Sequence, residues 1–236
     1  SVLREGDRLT LPASGQDGGW IAKFPDPLFR NLAENELLMM RWASLSGIDV
    51  PSVDLVSAAS VPDIFERGLD PDSPVFVIER FDRLPSGGRV HIEDLAQAIG
   101  IQPRERDSGT TYDRIGSYIL AITGPAGFEE YLRRLVAIVV MGNGDAHLKN
   151  WSLRYADGRN AELSPAYDLV CTSIYRNLAP RLTFPLNDQQ YAEAIGIDDF
   201  ARLADFSGFP TTIARQIVEA TVESLRATWS EAKGEA

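Results

Sequence analysis

Two short segments of this 236-residue chain carry side chains that could do chemistry together. Gly142 to Ser152 reads G-N-G-D-A-H-L-K-N-W-S, with Asp145 five positions before Asn150. Leu163 to Val170 reads L-S-P-A-Y-D-L-V and sets Tyr167-Asp168 in an apolar frame. A carboxylate, an amide oxygen and a second carboxylate in this order suit phosphoryl transfer. Asp145 would orient an attacking hydroxyl and accept its proton, while Asn150 and Asp168 would hold Mg²⁺ against phosphates. Asn, Gly and Asp are also ordinary turn residues, and G-N-G-D alone would read as a turn. The assignment therefore depends on what the rest of the chain supplies.

Three further segments supply the missing parts. Lys23 lies in W-I-A-K-F-P, a short apolar, β-prone run. A lysine in a buried strand is costly without an anion, so it either grips phosphates or faces water from an edge strand. Glu36 lies near the start of a helix whose Leu38, Trp42 and Leu45 recur at helical spacing, with Gly47 as its C-cap. An acid there complements the helix dipole, and it is also placed to pair with Lys23 and position it; Glu34 is a rival for that role. Val75 to Arg83 reads V-F-V-I-E-R-F-D-R, an apolar strand that breaks into charge at Glu79. That is the form of a hinge whose backbone could bind an adenine edge, and also of any strand leaving for the surface.

Taken together, these segments resemble the HipA family of serine/threonine kinases, the toxin half of bacterial toxin–antitoxin pairs. The resemblance runs in order through W-I-A-K-F-P, N-E, G-I-D-V-P, E-R-F-D-R, H-I-E-D-L-A-Q-A-I-G, G-N-G-D-A-H-L-K-N-W-S-L and S-P-A-Y-D-L-V, over roughly residues 20 to 170. It implies ATP and Mg²⁺ as cofactors and Asp145 as proton acceptor. It implies phosphate contact by Lys23, positioned by Glu36, and adenine binding by Glu79, Arg80 and Phe81. His147, Leu148, Lys149 and Asn150 would line the nucleotide and metal site, and Tyr167 and Asp168 would supply the second metal position. His147 or Lys149 would join Lys23 in offsetting phosphate charge. Where the family usually has Gln, this chain has Ile92. The resemblance also implies a protein substrate in translation, typically an aminoacyl-tRNA synthetase. It implies a helix-turn-helix antitoxin that carries any DNA contact.

The family's phosphate-gripping loop lies upstream of the lysine strand, and no G-x-G-x-x-G occurs here. The chain opens with S-V-L-R-E-G-D-R-L-T-L, already the strand before Lys23, and without Met. It reads as the kinase core of a longer protein. Gly15, Gly18 and Gly19 read as a hairpin turn between strands.

Composition narrows the class. Hydrophobic content of 44% and charged content of 24% are ordinary for a globular protein. A formal charge of −11 argues against nucleic-acid binding by this chain alone and suits a basic protein partner. A single cysteine, Cys171, excludes an internal disulfide and fits the cytoplasm. Two histidines and one cysteine make a structural zinc site improbable. No run reaches the roughly 18 apolar residues of a membrane span, and no secretory signal is visible.

The pattern predicts an α+β fold of two lobes, a small β-rich N-lobe over residues 1–80 and a larger, mostly helical C-lobe over 81–236, and the resemblance implies that it is protein-kinase-like. Expected strands are Asp7–Leu11, Trp20–Phe24, Val53–Ala58 and Val75–Arg80. In the C-lobe, Ile92, Leu95 and Ile99 share one helix face; Phe128, Leu132, Leu135 and Val139 share another, with Glu129–Arg133 and Glu130–Arg134 as supporting pairs. A last helix from about Pro210 is expected to pack through Ile213, Ile217 and Ala220. Arg104–Thr111 is expected to be a loop, and Ser173–Pro185 takes the place of an activation segment, with Ser173, Tyr175 and Thr183 as modifiable hydroxyls. The function expected is ATP-dependent phosphorylation of a protein Ser or Thr. The alternatives are a small-molecule phosphotransferase using the same D-x-x-x-x-N logic, and a non-catalytic binding module, against which the joint presence of Asp145, Asn150 and Asp168 argues.

Overall fold

The structure is a computed structural model and describes residues 1–14, 16–61, 69–84, 87–100 and 109–234. Two small antiparallel sheets open the chain. β1 (Leu3–Glu5) and β2 (Arg8–Thr10) form a hairpin that turns at Gly6, where φ is 61°. The strand expected over Asp7–Leu11 is thus the second arm of that hairpin. β3 (Trp20–Lys23), β4 (Val53–Ser57) and β5 (Pro74–Glu79) form a second sheet in the order β3-β5-β4.

The continuous apolar run of β5 follows from its central place. Alternate residues face two different cores: Phe76 and Ile78 enter the main core, while Val75 and Val77 join Val2 and Leu9 in a smaller one. β2 and β3 are not partners, which corrects the hairpin expected at Gly15–Gly19; Gly15 itself lies outside the described residues. Gly18 instead passes so close to Val2 that a Cβ would strike its backbone, and Val2 pairs with Trp20. The glycine is needed for that close approach rather than for a turn.

Helix α1 (Leu32–Leu45) packs on the β4–β5 side of this sheet and ends at Gly47, which takes a left-handed φ of 85°. The remainder comprises β6 (His91–Asp94), α2 (Leu95–Ala98), α3 (Tyr112–Met141), β7 (Ser152–Tyr155), β8 (Glu162–Leu163), α4 (Ile197–Ser207) and α5 (Thr211–Gly234). β6, β7 and β8 make a third antiparallel sheet. Ile92 therefore lies in a strand and not on the helix face expected for it. The Asp94–Gln97 capping box starts the helix only at Leu95, and β7 pairs the residues before it. α3 is two helices joined at a kink at Gly124, whose φ of 72° and ψ of −172° are not helical, with Pro125 opening the second half. Phe128, Leu132 and Leu135 of that half are fully buried. Of the loop expected at Arg104–Thr111, residues 104–108 lie outside the described set, and Thr111 caps α3 through its side chain.

In the last helix Ile217 packs against the core as expected, but Ile213 and Ala220 do not. Ala214, Val218, Thr221 and Leu225 form its buried face, whereas Ile213 is 41% exposed and Ala220 is exposed. α5 packs on α3, α4 and α1. There the Trp42 indole N–H donates to the Leu225 carbonyl at 2.8 Å, and its ring lies 4.5 Å from that of Trp229. Ser46 and Thr228 share a hydroxyl hydrogen bond of 2.8 Å. α5 thus closes on α1. Among the described residues, no helix is long and apolar enough to cross a membrane.

Trp42→Ala should destabilise the fold by about 3–5 kcal/mol, the range for emptying a large aromatic site. Urea unfolding should show this as a lower midpoint, with enhanced amide exchange in both α1 and the second half of α5.

Candidate active site

The site assembles where β3, α1 and the two polar loops meet. Along β3, Trp20 and Ala22 pack on the smaller core, which turns Ile21 and Lys23 to the opposite face. β3 is an edge strand, but Lys23 is only half-exposed. Its ammonium lies 2.6 Å from Glu36 Oε1 and also contacts Asp168 Oδ1, 145 residues away in sequence. Glu36, the acid that meets Lys23, is buried, whereas Glu34 makes no such contact. Burial pushes the Glu36 carboxyl up to about 7, against the pull of Lys23. For Lys23, burial disfavours the charge, but Glu36 and Asp168 outweigh it and raise the ammonium above its ordinary value. The cation is therefore firmly held.

Asp168 carries a left-handed φ of 56°, a conformation few residues other than glycine adopt. Three buried or half-buried polar side chains fix the segment around it. Asn143, fully buried, donates to the Asp168 carbonyl at 3.3 Å and accepts from the Asp145 amide at 3.0 Å. Asn35, beside Glu36 on α1, donates to the Cys171 carbonyl at 2.9 Å and accepts from its amide at 3.0 Å. Thr172 accepts from the Gly144 amide at 2.6 Å and donates to the Gly142 carbonyl at 3.0 Å. Asn143 and Thr172 thus tie the two polar loops together, and Asn35 ties the second loop to the helix of Glu36.

The two glycines of G-N-G have separate reasons. Gly142 ends α3 with a φ of 65°, and Gly144 lies so close to the Arg181 carbonyl oxygen that no Cβ fits. Together they let residues 172–183 cross directly over the loop; the Thr183 hydroxyl donates to the Gly144 carbonyl at 2.8 Å. Asp145 emerges exposed from this crossing. Asn150 donates its side-chain amide to the Asp145 carbonyl at 3.2 Å, which leaves its oxygen as the group available to a cation. Asn150 and Asp168 line one small cavity. Two oxygen donors suit Mg²⁺, which keeps waters and substrate oxygens in its remaining positions. Among the described residues, no group of three or more His, Cys, Asp or Glu could hold a metal.

A second cavity of about 280 Å³ lies beside Lys23 and Asp168. Ile21 and Ile78 come from the β3-β5-β4 sheet, Phe81 from the segment that follows β5 and Ile92 from β6. The Phe81 and Tyr167 rings lie 5.6 Å apart. Glu79, Arg80 and Tyr167 also line it, so the structure gathers most of the expected nucleotide residues. Within the expected hinge, the Glu79 and Arg80 amides already donate to Ser52 and Gly19. Buried Asp82 holds Arg80 at 2.7 Å and Arg83 at 2.6 Å. Burial would raise its pKa, but those two guanidinium groups hold it below the usual carboxylate value. Of the expected residues, Leu148 is in the core, Lys149 is exposed, and neither these nor His147 lines this cavity. The Tyr167 hydroxyl donates to the Lys149 carbonyl at 2.6 Å, and burial pushes its pKa up to about 12.

Sequence reasoning missed Asn35, Asn143, Thr172 and the cavity position of Ile92. Asn35 and Asn143 carried one signal: each is a polar residue in a segment otherwise assigned to packing or turning. Thr172 carried none.

Two outcomes test this geometry. Gly144→Ala should cost about 1–3 kcal/mol, as overpacking does, and raise amide exchange across Thr172–Thr183; Gly19→Ala, where a Cβ meets nothing within 4 Å, should do neither. The raised folded pKa of Glu36 means that its favourable contribution is complete below about 4.5 and is lost as pH rises through about 7. Glu36→Gln should remove that slope from stability measured by urea unfolding between about pH 4 and pH 8. An unchanged slope would show that Glu36 does not titrate there.

Comparison with known proteins extends this geometry. The family model described as HipA-like C-terminal domain matches residues 4–229. A Sinorhizobium fredii protein named "Putative kinase Y4dM" is 37% identical over 230 residues, covering 98% of this chain and 56% of that protein. The serine/threonine-protein kinase toxin HipA of Shewanella oneidensis is 29% identical over 225 residues, covering 84% of this chain and 49% of the toxin. The chain thus spans about half the length of these relatives. A solved Shewanella oneidensis HipA, in complex with HipB and its operator DNA, superposes with a TM-score of 0.79 at 23% identity over 99% of this chain and 55% of that one. The Helicobacter pylori proinflammatory kinase CtkA superposes with a TM-score of 0.54 at 15% identity, over 99% of this chain and 94% of that one. The fold is a two-lobed, protein-kinase-like one. With a family match that runs through every segment of the site, the chain belongs to the HipA-like C-terminal domain family of kinase-like proteins.

Proposed function

We propose that this chain is the catalytic core of an ATP-dependent protein kinase that phosphorylates a Ser or Thr hydroxyl. The observation that carries the reading is the convergence of Lys23, Glu36 and Asp168 beside an apolar cavity, with Asp145 fixed to the same framework through Asn143. Ile21, Ile78, Phe81 and Ile92 would enclose the purine, and Lys23 would meet its phosphates. Held by Asn150 and Asp168, Mg²⁺ would neutralise charge on the phosphates and on the leaving diphosphate. Asp145 orients the acceptor hydroxyl and takes its proton. The hydroxyl oxygen bonds to the γ-phosphorus as the bond from that phosphorus to the β–γ bridging oxygen breaks, and ADP leaves with that electron pair.

What remains of the expected biology belongs to the same reading. The Shewanella HipA complex with HipB and operator DNA supports a helix-turn-helix antitoxin as partner, with DNA contacted through that partner. It would supply the basic surface that a chain of net charge −11 lacks. An aminoacyl-tRNA synthetase as the phosphorylated protein follows from the family resemblance.

Asp145→Asn tests the reading in the protein that carries this chain. It keeps the size of the side chain and removes its basicity. Phosphoryl transfer from radiolabelled ATP should fall by about 10²–10⁴-fold, with melting temperature and Mg·ATP affinity little changed. Transfer at the parent rate would remove Asp145 from the mechanism.

A further inference from the structure

The small cavity that Asn150 and Asp168 share is also lined by Arg134 and Trp151. Arg134 comes from the second half of α3, and Trp151 directly precedes β7. Each is only 2% exposed. Two nitrogens of Arg134 are engaged. Nε donates to Glu130 Oε1 at 3.0 Å, and Nη2 donates to the carbonyl of fully buried Ser164, at the start of S-P-A-Y-D. Nη1 meets no acceptor among the described residues, and neither does the Trp151 indole N–H. The Trp151 ring packs on that of Tyr131, with centroids 4.9 Å apart, so the indole is held in place. Burial pulls the Arg134 guanidinium below its ordinary pKa even against Glu130. An N–H withdrawn from water and left unmade is costly, and two such groups in one wall call for a common acceptor.

We infer that one water occupies this cavity, accepts from Arg134 Nη1 and Trp151 Nε1, and thereby makes both residues positioning residues for Asn150 and Asp168. The positioning role rests on the kinase reading; the water does not. The cavity measures about 10 Å³, close to the room that one water needs. Water matches the wall in both directions. Its oxygen accepts two N–H bonds, and its hydrogens pass to oxygens of the residues that share the cavity, Asn150 and Asp168 among them. Other occupants fit less well. A magnesium ion would face two hydrogen-bond donors, one of them cationic. A halide could accept from both, but Glu130 already meets the charge of Arg134, and the Asp168 carboxylate in the same wall repels an anion. Loss of the outer groups that orient metal ligands typically changes metal affinity by about 10–100-fold.

A high-resolution crystal structure of the whole chain, grown with bromide in place of chloride, tests the site. One peak should lie within about 3.2 Å of both Arg134 Nη1 and Trp151 Nε1, without anomalous signal. A cavity free of density, or an anomalous peak that marks bromide, would overturn the proposal. Positioning is tested by calorimetric titration of ATP into the same protein, once with magnesium and once with EDTA. The ratio of the two dissociation constants isolates what the metal adds. Trp151→Phe keeps an aromatic ring and removes the N–H. It should shrink that ratio by about tenfold and leave the metal-free affinity within about twofold of the parent. Arg134→Lys should act in the same direction, and thermal unfolding reports whether each variant keeps its fold. An unchanged ratio in folded Trp151→Phe would show that the pair only packs. If the parent protein gains no ATP affinity from magnesium, the kinase reading fails and the positioning role falls with it, while the crystal still decides the water.

Discussion

A carboxylate withdrawn from water needs a cation, and at the centre of this molecule Glu36 finds it in Lys23. The requirement is not local. Lys23 sits at the end of an edge strand, Glu36 on a helix that packs behind that strand's sheet, and Asp168 on a loop from the other lobe. None of the three can be moved alone. A strand shifted by one residue would turn Lys23 toward the smaller core and Ala22 toward the cavity. The alternation of β3 is therefore as much part of the site as the lysine itself.

Around this centre, positions are set chiefly by side chains that hydrogen-bond backbone. Asn35 engages both the amide and the carbonyl of Cys171; Asn143 links Asp145 to Asp168; Thr172 spans Gly142 and Gly144. Such clamps suit loops, whose backbone groups lack a ladder or helix to satisfy them. They also leave the side chains proposed to act accessible. Asp145 stays exposed, and the oxygen of Asn150 is directed by what its amide group does. The molecule thus separates the groups that hold geometry from the groups that would act.

The sequence disclosed the parts of this arrangement that depend on residue type and short spacing. The apolar run of β5, the helical repeat of Leu38 and Trp42, and the D-x-x-x-x-N spacing are local, and the elements formed where those patterns lie. What it concealed depends on partners far along the chain. Ile92 reads as one side of an amphipathic helix until β7, some 60 residues later, pairs with it. On α5, Ile213 and Ala220 read as core positions as readily as Ala214 and Val218 do, and only the packing of the distant helices around α5 decides between them. Asn35 and Asn143 look like helix and turn residues because their carbonyl and amide partners lie 136 and 25 positions away. Thr172 resembles any loop threonine for the same reason.

The closure of α5 on α1 also sets an order in time. A ribosome makes Trp42 long before it makes Leu225 and Trp229, 183 and 187 positions later in the chain. Until those residues emerge, the outer face of the Glu36 helix has no cover, and no amount of local helix propensity can provide one. Contacts so distant in sequence close late and slowly, because loop entropy must be overcome first. By Thr172 the nascent chain carries every polar residue of the site without the contact that steadies the Glu36 helix. The framework of the site is therefore steadied only once α5 has emerged and docked on α1.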